Sequence, residues 1–194
     1  MTNMKLEKEQ RIADELQRTF PHLTARVRRE RRIVASLEKE LIPSVLVHAK
    51  ENLGFQHLSH MTVVDWIEEE HFEMVYILWN HEERVQLIFK TMFPRDNAEM
   101  PNIDYIWRQA NTYQREMREM FGIEFPGFVG DKEFILEDWE DMPPMRRDFD
   151  TKEYANRTYF HRPGREDAKD VRKVITERSG EEIPDYAKKY SREK

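Results

Sequence analysis

Apolar residues recur every three or four positions in three parts of the chain, which is the spacing of amphipathic helices. The first stripe covers residues 4–19, and the second follows Pro43 and ends at Gly54. The third stripe is the longest; it begins at Asn102, a residue suited to capping a helix, and stops at Gly122. The pattern therefore predicts three helices.

Between the second and third helices the spacing of apolar residues changes to two, which predicts strands. The middle run is apolar on both faces, as in a central strand, whereas the next run alternates and is expected to be covered on one face. An antiparallel meander follows from this order, and two shorter runs nearer the N-terminus are expected to join its sheet. The predicted strands are 24–28, 32–37, 57–67, 72–80 and 85–93.

Together these elements predict an α+β fold, with a small, mostly antiparallel sheet covered by helices, over residues 1–125. Beyond this point the periodicity ends and proline and glycine recur. Residues 126–194 are therefore predicted to be a long, extended C-terminal segment. Its aromatic residues, among them Trp139, are too numerous for a solvated tail and favour docking onto partner subunits. Folding back onto its own domain is the alternative.

Composition limits the classes of function that are open to the chain. Its 194 residues carry a net charge of -6 and include no cysteine. Disulfides and cysteine-ligated iron–sulfur clusters are excluded, and the negative charge disfavours nucleic-acid binding. No apolar run reaches the roughly 20 residues that span a bilayer, and the N-terminus lacks the apolar core of a signal peptide. Membrane association is expected to go through another protein.

Two local clusters could carry chemistry, and each has a plainer interpretation. His57 and His60 lie on a predicted strand, where their rings are expected to point to opposite faces, so a shared metal is disfavoured. The arginine-rich run 26–32 could contact phosphate but has no interleaved aromatic residues, and the exposed face of an edge strand is favoured. No phosphate loop or nucleophile-elbow serine occurs. An independent hydrolase therefore has no support.

Charged residues at the end of the third helix and beyond it form the remaining signal. Arg115 and Glu116 lie on that helix, and Arg146, Arg147 and Asp148 follow in the later segment. Taken locally, the helical pair are ordinary surface charges. Guanidinium groups are nevertheless suited to two-point pairing with a carboxylate of a neighbouring subunit, and two arginines next to an aspartate can form a network.

The order of residues over roughly 45–150 resembles one family, the C subunit (30-kilodalton subunit) of respiratory complex I and of related membrane-bound, energy-converting hydrogenases. The helix-to-glycine segment carries most of the resemblance. Further positions that fit lie on both sides of it. The matching residues are Asp65, Tyr76, Pro101, Trp107, Ala110, Tyr113, Arg115-Glu116, Phe121-Gly122-Ile123, Phe125-Pro-Gly127, Leu136, Asp138-Trp139-Glu140, Pro144 and Arg146-Arg147-Asp148-Phe149.

This resemblance implies a non-catalytic scaffold in the peripheral arm of an ion-translocating oxidoreductase, on the cytoplasmic side of the cell membrane. Its expected partners are a hydrogenase-like large subunit, an iron–sulfur small subunit and membrane-arm subunits. The clusters are expected in those partners, with no cofactor, metal or catalytic residue in this chain. Gly122 and Gly127 would fix the chain turn. The expected interface residues are Arg115, Glu116, Trp139, Arg146, Arg147 and Asp148.

Several positions depart from the family pattern, including Gln114, Glu119 and Arg147, where the family has Glu, Asp and Lys. They make a membrane-bound hydrogenase or a ferredoxin-dependent relative a close competitor to an NADH:quinone enzyme. Two interpretations from other classes also stay open. One is a soluble adaptor outside any redox complex, and the other is a nucleic-acid-binding α+β module that uses the arginine run.

Overall fold

A computed structural model of the chain describes residues 6–129 and 133–158. The chain divides after Phe149 into two compact units. Among the described residues, every strand and the first three helices belong to the first unit, and the fourth helix belongs to the second. The helices are α1 (Glu7–Thr19), α2 (Ile42–Glu51), α3 (Ala110–Phe121) and α4 (Thr151–Thr158).

The first unit is built on one five-stranded sheet with the order β1-β2-β5-β4-β3. All neighbouring strands are antiparallel except β2 and β5, which run parallel. The expected meander of three long strands is confirmed, and the two short strands join it as expected. The strands are β1 (Thr24–Arg29), β2 (Arg32–Ser36), β3 (His57–Trp66), β4 (His71–Asn80) and β5 (Val85–Pro94).

Helices α1, α2 and α3 contribute their apolar stripes to a single core on one face of the sheet. Leu16 of α1, Leu46 of α2 and Met117 of α3 are buried there together with inward-facing strand residues such as Tyr76 and Phe89. Burial raises the pKa of the Tyr76 hydroxyl. The predicted helix-covered, mostly antiparallel sheet is therefore confirmed. The arginine run begins on β1, an edge strand, and continues through the following turn to Arg32, the first residue of β2.

The third helix begins eight residues later than its apolar stripe predicts, so the expected start at Asn102 is wrong. The side-chain oxygen of Asn102 accepts hydrogen bonds from the N–H of Asp104 at 3.0 Å and from Nε2 of Gln114 at 2.8 Å. The Gln114 oxygen in turn accepts the N–H of Ile103 at 2.9 Å. Residues 102–109 therefore form successive turns that bury the same apolar side chains without a helix.

After α3 the chain turns twice and stays within the first unit as far as Phe149. The backbone of Gly122 has φ +73° and that of Gly127 has φ +78°, a left-handed conformation that favours glycine. Residues 133–149 then pass the end of α3, where the N–H of Met145 donates to the carbonyl of Met120 at 3.0 Å. The expected wrapping of partner subunits by residues 126–194 stays a prediction, and 130–132 and 159–194 lie outside the described residues.

Candidate partner-binding site

A buried ion pair lies at the end of the β3–β4 hairpin. Asp65 is near the end of β3, and Arg95 follows β5; their side chains are 3% and 11% exposed. Arg95 Nε lies 2.8 Å from Asp65 Oδ1, and its Nη2 donates to Oδ2 at 3.1 Å. Asp65 occupies an inward position of its strand, after the buried Met61 and Val63. A carboxylate at such a position needs a cation beside it.

The segment 133–149 binds to this pair through Asp148 and the main chain of Arg147. Arg95 Nη2 donates to Asp148 Oδ1 at 2.8 Å, and the N–H of Arg147 donates to Asp65 Oδ2 at 2.9 Å. Burial raises the pKa of Asp148, but the hydrogen bond from Arg95 and the charge of Arg146 outweigh burial and hold it below its usual value. The segment and the sheet therefore share one charge network.

An aromatic ring supports the two guanidinium groups of this network. The ring of Phe72 on β4 lies 5.5 Å from the guanidinium of Arg95 and 5.4 Å from that of Arg146. Phe72 itself packs against Phe93 and Phe121 in the core. The apolar contacts fix the ring, and its π face stabilises the cations, so the network has a rigid base.

At the rim of the site, Arg147 makes a two-point contact with Glu68 in the turn after β3. Its Nη1 and Nη2 donate to the two carboxylate oxygens at 2.6 Å and 2.9 Å. These hydrogen bonds hold the pKa of Glu68 below its ordinary value. Because both side chains are exposed, the pair contributes little to stability. The guanidinium of Arg147 is accessible to a partner.

A second attachment holds the start of the segment through Glu119 on α3. Its carboxylate accepts the N–H groups of Phe134, Ile135 and Leu136 at 2.7, 2.8 and 2.9 Å. Partial burial raises the pKa of Glu119, but the three backbone donors and the nearby Arg115 hold it below its ordinary value. One carboxylate thus fixes three successive residues of the segment.

Arg115 and Glu116 on α3 were both predicted as interface residues, but only the side chain of Arg115 contacts the segment 133–149 in the structure. Arg115 Nη2 donates to the carbonyl of Glu133 at 2.6 Å, and its guanidinium lies 5.1 Å from the ring of Phe134. Glu116 is half-buried, and no hydrogen bond or ion pair joins its side chain to another described residue. Arg115 therefore positions the segment.

Trp139 lies within the segment, and Gly122, at the end of α3, lies against it. The Trp139 ring packs 5.7 Å from Phe149, and its Nε1 donates to the carbonyl of Met142 at 3.1 Å. A Cβ atom on Gly122 would lie 3.1 Å from Pro143 Cγ, whereas one on Gly127 would meet nothing within 4 Å. Of the two glycines, only Gly122 is required by packing as well as by its φ angle.

The structure brings Arg146, Arg147 and Asp148 into one network, with Arg115 at a separate attachment. Sequence reasoning missed Arg95, Phe72 and Glu119 as members of the site. The inward position of Asp65 was a usable signal, because a carboxylate in an apolar row requires a cation. Among residues 6–129 and 133–158, no three metal-ligating side chains converge. His57 and His60 face different rings, those of His81 and Tyr113.

A family model described as the 30-kilodalton subunit of respiratory-chain NADH dehydrogenase matches residues 35–155. The chain belongs to this family. The matched range contains every residue of the network between Asp65 and Asp148. The resemblance in the order of motifs is therefore confirmed. The charge network lies within the part of the chain that the 30-kilodalton subunits share.

Two curated members of this family are similar to the chain over most of their length. The C subunit of NADH-quinone oxidoreductase from Moorella thermoacetica is 32% identical over 135 residues, covering 70% of this chain and 90% of the relative. The C subunit of F(420)H(2) dehydrogenase from Methanosarcina mazei is 32% identical over 130 residues, covering 66% of this chain and 80% of the relative. The family thus includes subunits of different oxidoreductases.

Two solved structures share the fold. A chain of the membrane-bound sulfane sulfur reductase, an archaeal respiratory membrane complex, superposes with a TM-score of 0.74 and 32% identity over 81% of this chain and 98% of that chain. A trypsin-resistant fragment of Nqo5 superposes with a TM-score of 0.54 at 21% identity, covering 63% of this chain and 98% of the fragment. Within the described residues, no helix is long and apolar enough to cross a membrane.

Proposed function

We propose that the chain is a non-catalytic scaffold in the peripheral arm of a membrane-bound, ion-translocating oxidoreductase of the complex I superfamily. Its place is on the cytoplasmic side of the cell membrane. It joins a hydrogenase-like large subunit to an iron–sulfur small subunit and to the membrane-arm subunits. The chain contains no cysteine, so the clusters of such a complex would be bound by other subunits.

One observation carries this proposal: the segment 133–149 is fixed by charges, while three of its apolar side chains, those of Ile135, Met142 and Met145, are exposed. Ile135 is 62% exposed and Met145 is 58% exposed, although the neighbouring main-chain groups are bonded to Glu119 and Met120. Exposed apolar side chains on a held backbone lose little conformational entropy when a partner covers them. The segment is therefore suited to docking.

The charge network explains why the docking segment is attached to the sheet rather than free. Asp65 and Arg95 are fixed by β3 and β5, and Asp148 and the main chain of Arg147 are fixed by them in turn. A partner that contacts Arg147 and the apolar side chains is thereby held at a set distance from the sheet. Holding electron-transfer subunits at fixed separations is what a scaffold in a redox complex must do.

The same role in a complex other than an NADH:quinone enzyme is the second candidate. The relative from Methanosarcina mazei is a subunit of F(420)H(2) dehydrogenase, and the superposed archaeal chain belongs to a sulfane sulfur reductase. These similarities support the same role in an enzyme other than an NADH:quinone oxidoreductase, and the departures from the family pattern in the sequence led us to expect a membrane-bound hydrogenase or a ferredoxin-dependent relative. The scaffold itself would be unchanged, because the electron donor and acceptor bind to other subunits.

Affinity purification of the tagged chain from gently solubilised membranes tests the proposal. The expected companions are a hydrogenase-like large subunit, iron–sulfur subunits and membrane-arm proteins, with cluster absorbance in the purified fraction. The identity of the companions would separate a hydrogenase from a quinone or sulfur-linked enzyme. Recovery of the chain alone from the soluble fraction, or with a non-redox partner or nucleic acid, would contradict the proposal.

A further inference from the structure

The face of the sheet opposite the helices is apolar at its centre. Val34, Ile88 and Ile77 are direct neighbours across β2, β5 and β4, and they face away from the core. Val75, one pair further along β4, is buried yet lies outside the helix-covered core cluster. The apolar stripes of α1, α2 and α3 pack on the other side of the sheet, and α3 reaches only the β3 edge of this surface, where Tyr113 contacts His60 beside Ile77. This surface is the open face.

Three apolar side chains that are more exposed extend the open face toward the β3–β4 turn. Val64, Trp66 and Met92 are 38%, 40% and 42% exposed. Val64 and Met92 both pair with Glu73 on β4, so they lie on either side of one residue. The ion pair between Lys90 and Glu73, at 2.9 Å, lies between these side chains and the apolar centre. Apolar side chains on four neighbouring strands around a satisfied ion pair are typical of a protein interface.

The opposite end of the open face is basic. Three arginines, Arg29, Arg31 and Arg32, and one acidic residue, Glu30, surround a hollow of about 550 Å³ that Trp79 and Gln86 also line. Glu30 Oε1 lies 4.0 Å from Arg31 Nε, so Arg29 and Arg32 carry the excess positive charge. Arg32, Gln86 and Trp79 follow one another across β2, β5 and β4. The whole chain has a net charge of -6, so this positive corner is opposite in sign to the molecule around it. A tryptophan beside guanidinium groups accepts an apolar group and a carboxylate together.

We propose that the open face binds an apolar segment of a neighbouring subunit whose carboxylates meet the basic corner at Arg29 and Arg32. This rests on the proposed function, since it requires a neighbouring subunit. It adds a second contact surface on the side of the sheet away from the helices and the segment 133–149. Such a scaffold could hold two partners at once, one on each side of its sheet.

Charge favours an acidic segment of another subunit over a second copy of the chain. Two copies would each carry a net charge of -6 and would each bring the same arginines to the interface, and Arg147 already pairs with Glu68, which leaves only Glu69 and Glu70 of the acidic turn. An acidic segment of another subunit brings the complementary charge without this competition. Complementary charge fixes the orientation of a partner on an otherwise featureless apolar surface.

Because the chain has no cysteine, a single introduced cysteine reports the accessibility of one position. The experiment compares maleimide labelling of Met92→Cys in the purified full chain and in the affinity-purified complex. Val47→Cys is the matched control, since Val47 is 37% exposed and lies on α2, on the other side of the sheet. Labelling at position 92 is expected to be at least about tenfold slower in the complex than in the free chain, as for a buried interface core.

Cross-linking from position 92 then identifies the occupant. The expected product is a peptide of another subunit that contains both apolar and acidic residues. The double variant Arg29→Glu/Arg32→Glu is expected to lose that product and to release the subunit at lower salt. Arg18→Glu, on the exposed side of α1, should leave the cross-linked product and the salt dependence unchanged. A product with a second copy of this chain overturns the proposal, and so does protection at position 92 in the free chain.

The outcomes also separate this proposal from the scaffold role. If Met92→Cys purifies with the redox subunits but is labelled equally fast in the complex and in the free chain, the open face is not an interface and the scaffold role stands. If Met92→Cys and the unmodified chain both purify without redox subunits, the scaffold role is wrong, and the open-face proposal, which requires a neighbouring subunit, is wrong with it.

Discussion

The main-chain N–H of Arg147 donates a hydrogen bond to the carboxylate of Asp65, which lies 82 positions earlier in the chain. This bond joins the end of the segment 133–149 to an inward position of an edge strand. The Asp65 carboxylate also pairs with Arg95. Loss of its charge therefore weakens both the ion pair at the end of the sheet and the attachment of the segment.

The substitution Asp65→Asn tests the buried ion pair with almost no change of shape. It leaves the guanidinium of Arg95 buried with weaker compensation, and the free energy of unfolding is expected to fall by about 3 kcal/mol. Urea unfolding followed by circular dichroism measures the change. The control is Arg11→Met, which breaks the exposed Arg11–Glu83 pair and should cost less than about 1 kcal/mol. Equal losses of unfolding free energy in the two variants would contradict a larger contribution of the buried pair to stability.

Gly122→Ala and Gly127→Ala separate backbone strain from packing. Both positions have positive φ, so each alanine should cost about 1 kcal/mol in the free energy of unfolding. Gly122→Ala should cost more, because its Cβ would also press on Pro143 at 3.1 Å. Urea unfolding midpoints of the two variants measure the difference. Identical midpoints would mean that the segment is not held against the end of α3.

The pKa of Glu119 gives the attachment of residues 134–136 a pH dependence. Because the folded pKa lies below the ordinary value of 4.5, the stabilisation is fully present above pH 4.5 and is lost as pH falls through the folded pKa. The advantage of the wild type over Glu119→Gln should therefore be constant above this value and shrink below it. Unfolding curves at several pH values measure it. The control Glu116→Gln should follow the wild type, and a Glu119→Gln curve parallel to the wild type would contradict the assignment.

Arg147→Ala separates stability from partner binding. The main-chain bond to Asp65 is kept, and the exposed pair with Glu68 contributes little, so the free energy of unfolding should change by no more than about 0.5 kcal/mol. Recovery of companion subunits in affinity purification should nevertheless fall. Arg11→Ala, at another exposed ion pair, is the control and should leave recovery unchanged. Full recovery with Arg147→Ala would remove this side chain from the interface.

The strands were predictable because their signal is local. The alternating apolar residues of β3 and β5 and the continuous apolar run of β4 place all three strands within one residue of the observed bounds, since at least one face of each must be buried. The start of α3 was not predictable in the same way. Its apolar stripe continues before Ala110, and only the hydrogen bonds between Asn102 and Gln114, twelve residues apart, show that those residues form turns.

The site was predictable only as far as its signal is local in the sequence. The sequence marks Arg146, Arg147 and Asp148 as a compact charged cluster, but nothing local says which charges they meet. Arg95 follows a proline at a strand end, and its pairing with Asp65 arises only when β3 and β5 are joined through β4. The three-amide contact of Glu119 likewise depends on a chain reversal.

The central claim is that the chain holds other subunits together, and removal of the chain tests it most directly. In a strain that lacks the chain, the hydrogenase-like large subunit would be tagged and purified from solubilised membranes. The account predicts that it separates from the membrane-arm subunits, and that the full-length chain restores the assembly. Recovery of an intact, active complex without the chain would contradict the scaffold role.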